Sequence, residues 1–343
     1  MSNQSTASAP TAHSSTAGIP SAEGLAARAP SAEGPAVSVP SAGASTTPHT
    51  ILHAPATHTS PATVAERTNR VGQTTESEKT DDAGRHLASG LSATDVSWDI
   101  AGKQILDSIT QEFPTGSVTG LLGPNGSGKS SLLKIMAQVM TASGGRVTHA
   151  GKDLGQIDRR QRARLIGLVE QDSAADRSIT VLDSALLGRI PHRSLFAGPS
   201  RRDLEITHDA LDQVGISDFA GRELSSLSGG ERQRAHIARA LTQQPEILLV
   251  DEPTNHLDIA AQLQILGLLE KLAANGTTVV TALHDLTLAA AHCDQLVLLS
   301  HGEVVASGPT ERVLTPSTIE AVFGVKAVVL TNPITGRPLP AFG

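Results

Sequence analysis

The sequence has little of several residue types, and each shortage excludes a class of protein. Its 343 residues include one cysteine, Cys293, which excludes an intramolecular disulfide and a zinc site built from cysteines. No apolar run approaches the roughly 18 residues that a membrane-spanning helix needs. The N-terminus lacks the basic stretch and apolar core of a secretory signal, so we expect a cytoplasmic protein. The formal net charge of −7 does not favour nucleic acid bound through a basic face.

Residues 1–88 are poor in large apolar side chains and rich in Ala, Ser, Thr, Pro and Gly. A short repeat beginning at Pro20, Pro30 and Pro40 has too small a period for a solenoid. So few apolar groups cannot offset the entropy lost on ordering, which predicts a disordered tail. Histidines in this tail are irregularly spaced, so metal binding there is not favoured. The folded domain is predicted to span residues 89–343.

The stretch GPNGSGKS at residues 123–130 fits the phosphate-binding pattern G-x-x-x-x-G-K-[ST], the P-loop. An apolar strand is predicted just before it, and apolar residues recur at helical spacing just after it. Glycines let backbone N–H groups converge on phosphate oxygens, and the helix start adds a partial positive charge. Lys129 can reach the β and γ phosphates, and Ser130 can hold Mg²⁺. The motif therefore predicts a nucleoside triphosphate site.

Two carboxylates, Asp251 and Glu252, end an apolar strand that is predicted to begin at Ile247. Beside a P-loop, Asp251 is expected to hold Mg²⁺ through water. Glu252 is then expected to polarise the attacking water as a general base. A further buried strand, predicted at residues 277–283, ends at His284. That histidine can sense a γ-phosphate by hydrogen bonding, although by itself a histidine there is more typical of a surface or core position.

Three further features each admit two interpretations. Gln171, at the end of a predicted strand, can ligate Mg²⁺ or position water, or can simply end the strand. The segment LSGGE at residues 227–231 opens a helix whose free N–H groups form an anion site, yet a capping box of Ser228 and Glu231 also fits an ordinary capped helix. Trp98, in a predicted strand pair, can stack on an adenine or belong to a small sheet.

The rest of the chain predicts strands and helices in alternation, with one exception. Between Ile179 and Ser226 apolar residues recur at helical spacing with no strong strand between them, which predicts a helical insertion in an α/β chain. The last strand is predicted at residues 325–330, followed by a turn-rich end.

In order and spacing these motifs resemble those of the ATP-binding cassette (ABC) ATPases, from about Leu91 to the C-terminus. The LSGGE signature is the most specific mark of that family. The resemblance implies a RecA-like P-loop NTPase core with an antiparallel β subdomain, and an α-helical signature subdomain at about residues 178–228. It makes Gln171 the Q-loop residue, Asp258 the D-loop residue and His284 the switch residue.

The resemblance also implies the cofactors, ATP and Mg²⁺, and their ligands. Catalysis would involve Glu252, His284 and Gln171, and Mg²⁺ would be held by Ser130, Gln171 and Asp251. Trp98 falls where the family usually has an adenine-stacking aromatic, commonly Tyr. The other residues expected to bind ATP are Gly123, Pro124, Asn125, Gly126, Ser127, Gly128, Lys129, Ser130 and Ser131.

In this family two cassettes pair head to tail, with ATP between the P-loop of one and the signature of the other. Ser228, Gly229, Gly230 and Glu231 would therefore act on the nucleotide of the partner chain. Because one cassette is present, the resemblance implies a homodimer. It also implies two integral membrane permease subunits, which would hold the cassettes peripherally at the cytoplasmic face of the membrane. No nucleic-acid partner is expected.

A finer resemblance is to importer ATPases for iron–siderophore complexes, haem and cobalamin. It rests on GRIPH at residues 188–192, NHLD at residues 255–258 and NPxTG at residues 332–336. An iron chelate or haem is the first choice of cargo, delivered by a substrate-binding protein, and cobalamin or another metal complex is the alternative. An exporter shares the core motifs. A soluble ABC ATPase acting on ribosomes or DNA is disfavoured by the net charge and the single cassette.

Overall fold

A computed structural model describes residues 90–170, 178–194 and 197–343. The tail predicted at residues 1–88 and the Q-loop residue Gln171 lie outside these described residues, so both remain predictions. Among the residues that are described, no helix combines the length and the apolar character needed to cross a bilayer.

The strands follow the alternation that the sequence predicts. They are β1 (Leu91–Ile100), β2 (Lys103–Phe113), β3 (Val118–Leu122), β4 (Gly144–His149), β5 (Lys152–Asp153), β6 (Ile166–Val169), β7 (Ile247–Asp251), β8 (Thr278–Ala282), β9 (Gln295–Ser300), β10 (Glu303–Pro309), β11 (Ala327–Thr331) and β12 (Pro338–Phe342). The helices are α1 (Lys129–Met136), α2 (Arg159–Leu165), α3 (Val181–Leu187), α4 (Arg201–Gln213), α5 (Gly229–Leu241), α6 (Ile259–Ala274), α7 (Leu286–His292), α8 (Thr310–Val313) and α9 (Pro316–Phe323).

The central sheet has six strands in the order β10-β9-β3-β8-β7-β6. Strands β6, β7, β8, β3 and β9 run parallel, and β10 pairs antiparallel with β9. Every residue of β3, β7 and β8 is buried, as expected of parallel strands covered on both faces. Because all three run the same way, their carboxyl ends meet at one edge. The α/β core is therefore confirmed.

A second sheet of four antiparallel strands, in the order β2-β1-β4-β5, lies against the core. The backbone N–H of Asp107 in β2 donates to the carbonyl of Gly302, in the turn between β9 and β10, at 2.9 Å. Phe113, Leu121 and Leu132 are fully buried in the shared hydrophobic cluster. The expected antiparallel subdomain is thus present, fixed beside the strand that leads into the P-loop.

Helices α3 and α4 occupy the range where the sequence predicts a helical insertion. Val181 and Ala185 of α3 and Leu211 of α4 pack in one buried cluster with Ala235 and Ala238 of α5. The N- and C-terminal ends of this segment meet in an isolated antiparallel bridge between Thr180 and Glu223. Apart from this bridge, the described part of residues 178–228 contains no β-strand. The prediction of a helical insertion is confirmed.

The prediction that the last strand lies at residues 325–330 was wrong. Strand β11 pairs antiparallel with a further strand, β12. Prolines at 338 and 340 hide β12 in the sequence, because proline cannot donate to a strand ladder and is tolerated only at edges. The turn between the two strands positions Arg337, which donates to the carbonyl of Cys293 at 3.0 Å and to Asp294 at 3.2 Å. Asp294 in turn accepts the N–H of Val118, the first residue of β3, at 3.0 Å.

The GRIPH stretch is a structural anchor. Arg189 is 5% exposed, and its guanidinium donates to Asp203 of α4 at 3.0 Å and to the carbonyl of Thr242, after α5, at 2.6 Å. A Cβ at Gly188 would lie 1.9 Å from the Thr242 hydroxyl, so only glycine fits there. The carbonyl of Pro191 accepts hydrogen bonds from two arginines of α2. The stretch therefore joins the helical segment to both α5 and α2.

The hydrogen bonds that Asp203 accepts keep its carboxyl group ionised although it is buried. Burial acts to raise the pKa of Asp203, but hydrogen bonds from Ser200 and Arg189 outweigh it and lower the pKa from 3.8 to about 2. A carboxylate with a lowered pKa stabilises the fold above its ordinary pKa and loses that effect as the pH falls.

Asp203→Asn should lower the free energy of unfolding by about 3 kcal/mol at neutral pH, because the buried Arg189 loses its counter-ion. Urea denaturation of both proteins across a pH series should show this difference complete above about pH 5 and shrinking as the pH falls toward about 2. The matched control is Glu205→Gln on the same helix, since Glu205 pairs only with exposed arginines in the structure. That change should cost less than about 1 kcal/mol. A difference for Asp203→Asn that is constant with pH would contradict the assignment.

Candidate functional site

The P-loop connects β3 to α1 and takes its shape from three glycines. Gly123, Gly126 and Gly128 have φ of 151°, 80° and 102°, in the region that side chains disfavour. A Cβ at Gly123 would also lie 2.0 Å from the carbonyl oxygen of Leu299. The sequence prediction of strand, glycine loop and helix is confirmed, and the loop curls round the start of α1.

Lys129 lies in the centre of that loop. It is 4% exposed, and its Nζ donates to the carbonyls of Gly123 at 2.8 Å and Pro124 at 3.1 Å. Burial lowers the pKa of Lys129 below its ordinary 10.5, while the carboxylates of Glu252 and Asp251 act to raise it. The loop thus holds a cationic group whose present partners are neutral carbonyls, which leaves its charge available to an anion.

Ser130 and Asp251 meet beside the loop. The Ser130 hydroxyl donates to Oδ1 of Asp251 at 3.0 Å. Burial raises the pKa of Asp251 above its ordinary 3.8, and the hydrogen bond from Ser130 acts in the opposite direction. Two adjacent oxygen groups are the ligand type that Mg²⁺ prefers. Among the described residues no cluster of three or more His, Cys, Asp or Glu side chains could hold a metal alone.

Glu252 follows Asp251 and stands at the same edge of the sheet. Its φ of 52° is left-handed, which costs a non-glycine residue about 1–2 kcal/mol. Oε1 of Glu252 contacts Nε2 of His284, two residues beyond β8, and Oε2 contacts the side-chain amide of Asn255. Parallel pairing in the sheet aligns the ends of β7 and β8 through Asp251 and Ala282. The structure therefore brings together Glu252 and His284, to which the sequence assigned separate roles.

The signature segment caps α5. The N–H of Ser228 donates to Glu231 at 2.8 Å, and this bond lowers the pKa of Glu231 below its ordinary 4.5. The N–H of Glu231 donates to the Ser228 hydroxyl at 3.4 Å, which completes the capping box that the sequence allows. A Cβ at Gly230 would lie 2.9 Å from the Cβ of Ala261. Glycine is therefore required for the close approach of α5 to α6.

The D-loop residue Asp258 caps α6, its Oδ1 accepting the N–H of Ala261 at 2.8 Å. Two cavities adjoin the signature and D-loop segments, with volumes of about 220 and 270 Å³. The smaller is bordered by Gly229 and Glu252, and the larger by Ser228 and Asp258. Neither of the two includes a residue of the P-loop. Within one chain the signature thus borders two cavities that the P-loop does not line.

Trp98 is half-buried and packs on the core of the antiparallel sheet. Its partner across the strands is Leu106, whose side chain lies 2.5 Å from where a Cβ of Gly128 would stand. Trp98 is therefore a sheet residue whose cross-strand partner packs against the P-loop, and its role toward adenine stays a prediction.

Asn255 is the residue in this site to which the sequence assigned no separate role, apart from its place in NHLD. The signal was present in its position three residues after Glu252, with a proline between them that favours a tight turn.

Comparison with known proteins agrees with this geometry. The family model described as ABC transporter matches residues 106–255. The chain is 40% identical over 255 residues to a cobalamin import ATP-binding protein, BtuD, of Halobacterium salinarum, covering 73% of this chain and 64% of that protein. It is 37% identical over 236 residues to the ferric enterobactin transport ATP-binding protein FepC of Escherichia coli, covering 68% of this chain and 87% of that protein.

A hemin import ATP-binding protein, HmuV, of Gloeobacter violaceus is 38% identical over 256 residues, with 73% of this chain and 92% of that protein covered. Among solved structures, the dimeric bacterial ABC transporter cassette MJ0796 matches with a TM-score of 0.58 and 27% identity, covering 64% of this chain and 98% of the other. Fold, site geometry and comparisons agree, and the chain therefore belongs to the ATP-binding proteins of the ABC transporter family.

Proposed function

We propose that this chain is the ATP-hydrolysing subunit of an ABC importer that takes up an iron chelate, a siderophore complex or haem, through separate permease subunits. The observation that carries the enzymatic part is the common edge of β3, β7 and β8. There the P-loop, the Ser130–Asp251 pair and the Glu252–His284 pair follow neighbouring parallel strands. An edge of this kind is where α/β sheets bind ligands.

For nucleotide binding, the loop N–H groups and Lys129 would hold the phosphates. Ser130 directly, Asp251 through water, and Gln171 would hold Mg²⁺, which neutralises charge on the phosphate oxygens when bound. The Ser130–Asp251 contact supports this, since a cation between them has an oxygen on either side. Trp98 would face the adenine.

For hydrolysis, a water oxygen attacks the γ-phosphorus while the bond to the oxygen bridging the β and γ phosphates breaks. Glu252 takes the proton of that water as general base. An ionised carboxylate can only accept, so Nε2 of His284 carries the hydrogen in their contact. His284 can then donate the same hydrogen to the γ-phosphate. Products are ADP and inorganic phosphate.

The second half of the site would come from a second copy. Ser228, Gly229 and Gly230 lie exposed or half-exposed at the start of α5 and border a cavity that no residue of their own P-loop lines. A helix start with free N–H groups fits a phosphate. The dimeric cassette to which this chain is similar supports a homodimer in which each signature faces the partner's ATP.

The importer role is supported by the relatives that act on ferric enterobactin, hemin and cobalamin. An iron chelate is the first choice, and cobalamin or another metal complex is the alternative. Two permease subunits would hold the dimer at the cytoplasmic face of the membrane, and a substrate-binding protein would deliver the cargo. A soluble ABC ATPase acting on nucleic acid remains disfavoured by the net charge of −7.

The general-base assignment predicts a split between two variants. Glu252→Gln should bind ATP normally but lose at least about 100-fold in turnover, because the amide cannot take the proton. Lys129→Ala should instead lose ATP affinity, because the cation inside the loop is gone. Equilibrium binding of a fluorescent ATP analogue, steady-state phosphate release and the dimer fraction with ATP separate the two outcomes. Glu252→Gln should trap the dimer. Normal hydrolysis by Glu252→Gln would refute the assignment.

The cargo assignment is tested by deletion of the gene for this chain. We expect loss of uptake of radiolabelled iron from a ferric siderophore or from haem, restored by the wild-type chain but not by Glu252→Gln. Retained iron uptake with lost cobalamin uptake would move the cargo to the alternative. Efflux in place of uptake would indicate an exporter. Unaffected transport, with no permease recovered alongside the protein, would refute the transport role.

A further inference from the structure

A tight turn folds Asn255 back onto Glu252. The backbone N–H of Asn255 lies 3.4 Å from the carbonyl of Glu252, three residues earlier. Pro253 occupies the second position of this turn, where its fixed φ favours the bend. On α6, the Gln262 side chain donates to the carbonyl of Thr254 at 3.0 Å and holds the turn from the other side. These two hydrogen bonds therefore fix the backbone of the turn that carries Asn255.

The side chain of Asn255 contacts the carboxylate that the proposed mechanism uses. Its Nδ2 approaches Oε2 of Glu252, while Nε2 of His284 approaches Oε1. A carboxylate has no hydrogen to give, so the amide must present its NH₂ group there. Glu252 thus has a separate donor on each oxygen. Two donors on two oxygens fix the plane of the group as well as its position.

The two donors differ in what else they must do. His284 can exchange its hydrogen bond with Glu252 for one with the γ-phosphate. The amide of Asn255 cannot titrate, and its backbone is held by the turn at Glu252 and by Gln262. Lys129 and Asp251 interact electrostatically with Glu252. Arg232 and His236 border the 220 Å³ cavity that Glu252 and Asn255 also line. Among these groups, Asn255 is the neutral donor that contacts Oε2 of Glu252.

We propose that Asn255 is a positioning residue that keeps the Glu252 carboxylate aimed at the attacking water when His284 turns to the γ-phosphate. This inference rests on the proposed role of Glu252 as general base. It assigns Asn255 no contact with substrate. Loss of its donor should slow the chemical step and leave ATP binding intact, since misplacing a catalytic group reduces turnover before it reduces affinity.

The decisive variant is Asn255→Asp, which keeps the size and shape but replaces the donor with an oxygen that repels Glu252. In the full-length chain we expect its kcat to fall about 30-fold, with KM for ATP within about twofold of wild type. Asn255→Ala should fall about tenfold, and Asn255→Ser, which keeps a donor, should recover part of the loss. Gln262→Ala is the comparison variant, because it removes a bond to the same turn but leaves the Asn255 amide beside the carboxylate, and its kcat should fall less than that of Asn255→Ala.

Two further measurements separate positioning from other roles. Thermal melting of each variant should lie close to that of wild type. The double variant Glu252→Gln with Asn255→Asp should still form the ATP-trapped dimer, because positioning a base is irrelevant once the base is removed.

Four results would overturn the inference. Wild-type kcat in Asn255→Asp and Asn255→Ala, with Glu252→Gln inactive, would reject the role of Asn255 and leave the general base standing. Loss of the trapped dimer in the double variant would show that Asn255 serves the contact between cassettes. Equal losses in Asn255→Ala and Gln262→Ala, with lowered melting temperatures, would show a structural role. Normal hydrolysis by Glu252→Gln would instead reject the general base and, with it, the inference.

Discussion

The site depends on parallel pairing among β3, β7 and β8. Backbone hydrogen bonds set Leu121 opposite Ala282, and Asp251 opposite the same Ala282. The residues that follow each strand therefore emerge side by side, although more than 100 positions separate the P-loop from Glu252 in the chain. A slip of one residue between two of these strands would shift their ends by about 3.3 Å and move the residues that follow them out of line.

At this edge of the sheet, burial and the attraction between opposite charges act in opposite directions on the ionisation of Lys129. Burial lowers the pKa of Lys129 and raises that of Asp251, so each group alone would tend toward its neutral form. Their proximity, with Glu252 beside them, favours a charged lysine. A buried cation next to two carboxylates, reached by a loop of N–H groups, suits a ligand that brings both negative phosphates and a divalent cation. The same groups would suit an uncharged ligand poorly.

Motifs that mark the importer subfamily in the sequence have structural tasks in this chain. Arg189 and Asp203 tie the helical segment to the end of α5, and Gly188 makes room for that contact. Arg337, positioned by the turn of the NPxTG motif, connects the C-terminal hairpin through Asp294 to the start of β3. The first contact reaches the C-terminal end of the helix that the signature begins, and the second reaches the start of the strand that leads into the P-loop. They explain how segments remote from the nucleotide can matter to it without supplying a ligand.

The sequence by itself determined the family, the α/β core, the helical insertion and the identity of the P-loop, Asp251, Glu252 and His284. The strands and the site residues are encoded locally, by an apolar run and the polar residues at its end. The helical insertion follows from the spacing of apolar residues, and the family follows from the order and spacing of the motifs. Two features were decided by the tertiary structure. Strand β12 was hidden by its prolines and forms only because β11 offers a partner. The contact of Asn255 with Glu252 is made in a turn where Glu252 has a left-handed φ, a conformation that a glutamate in the sequence does not predict.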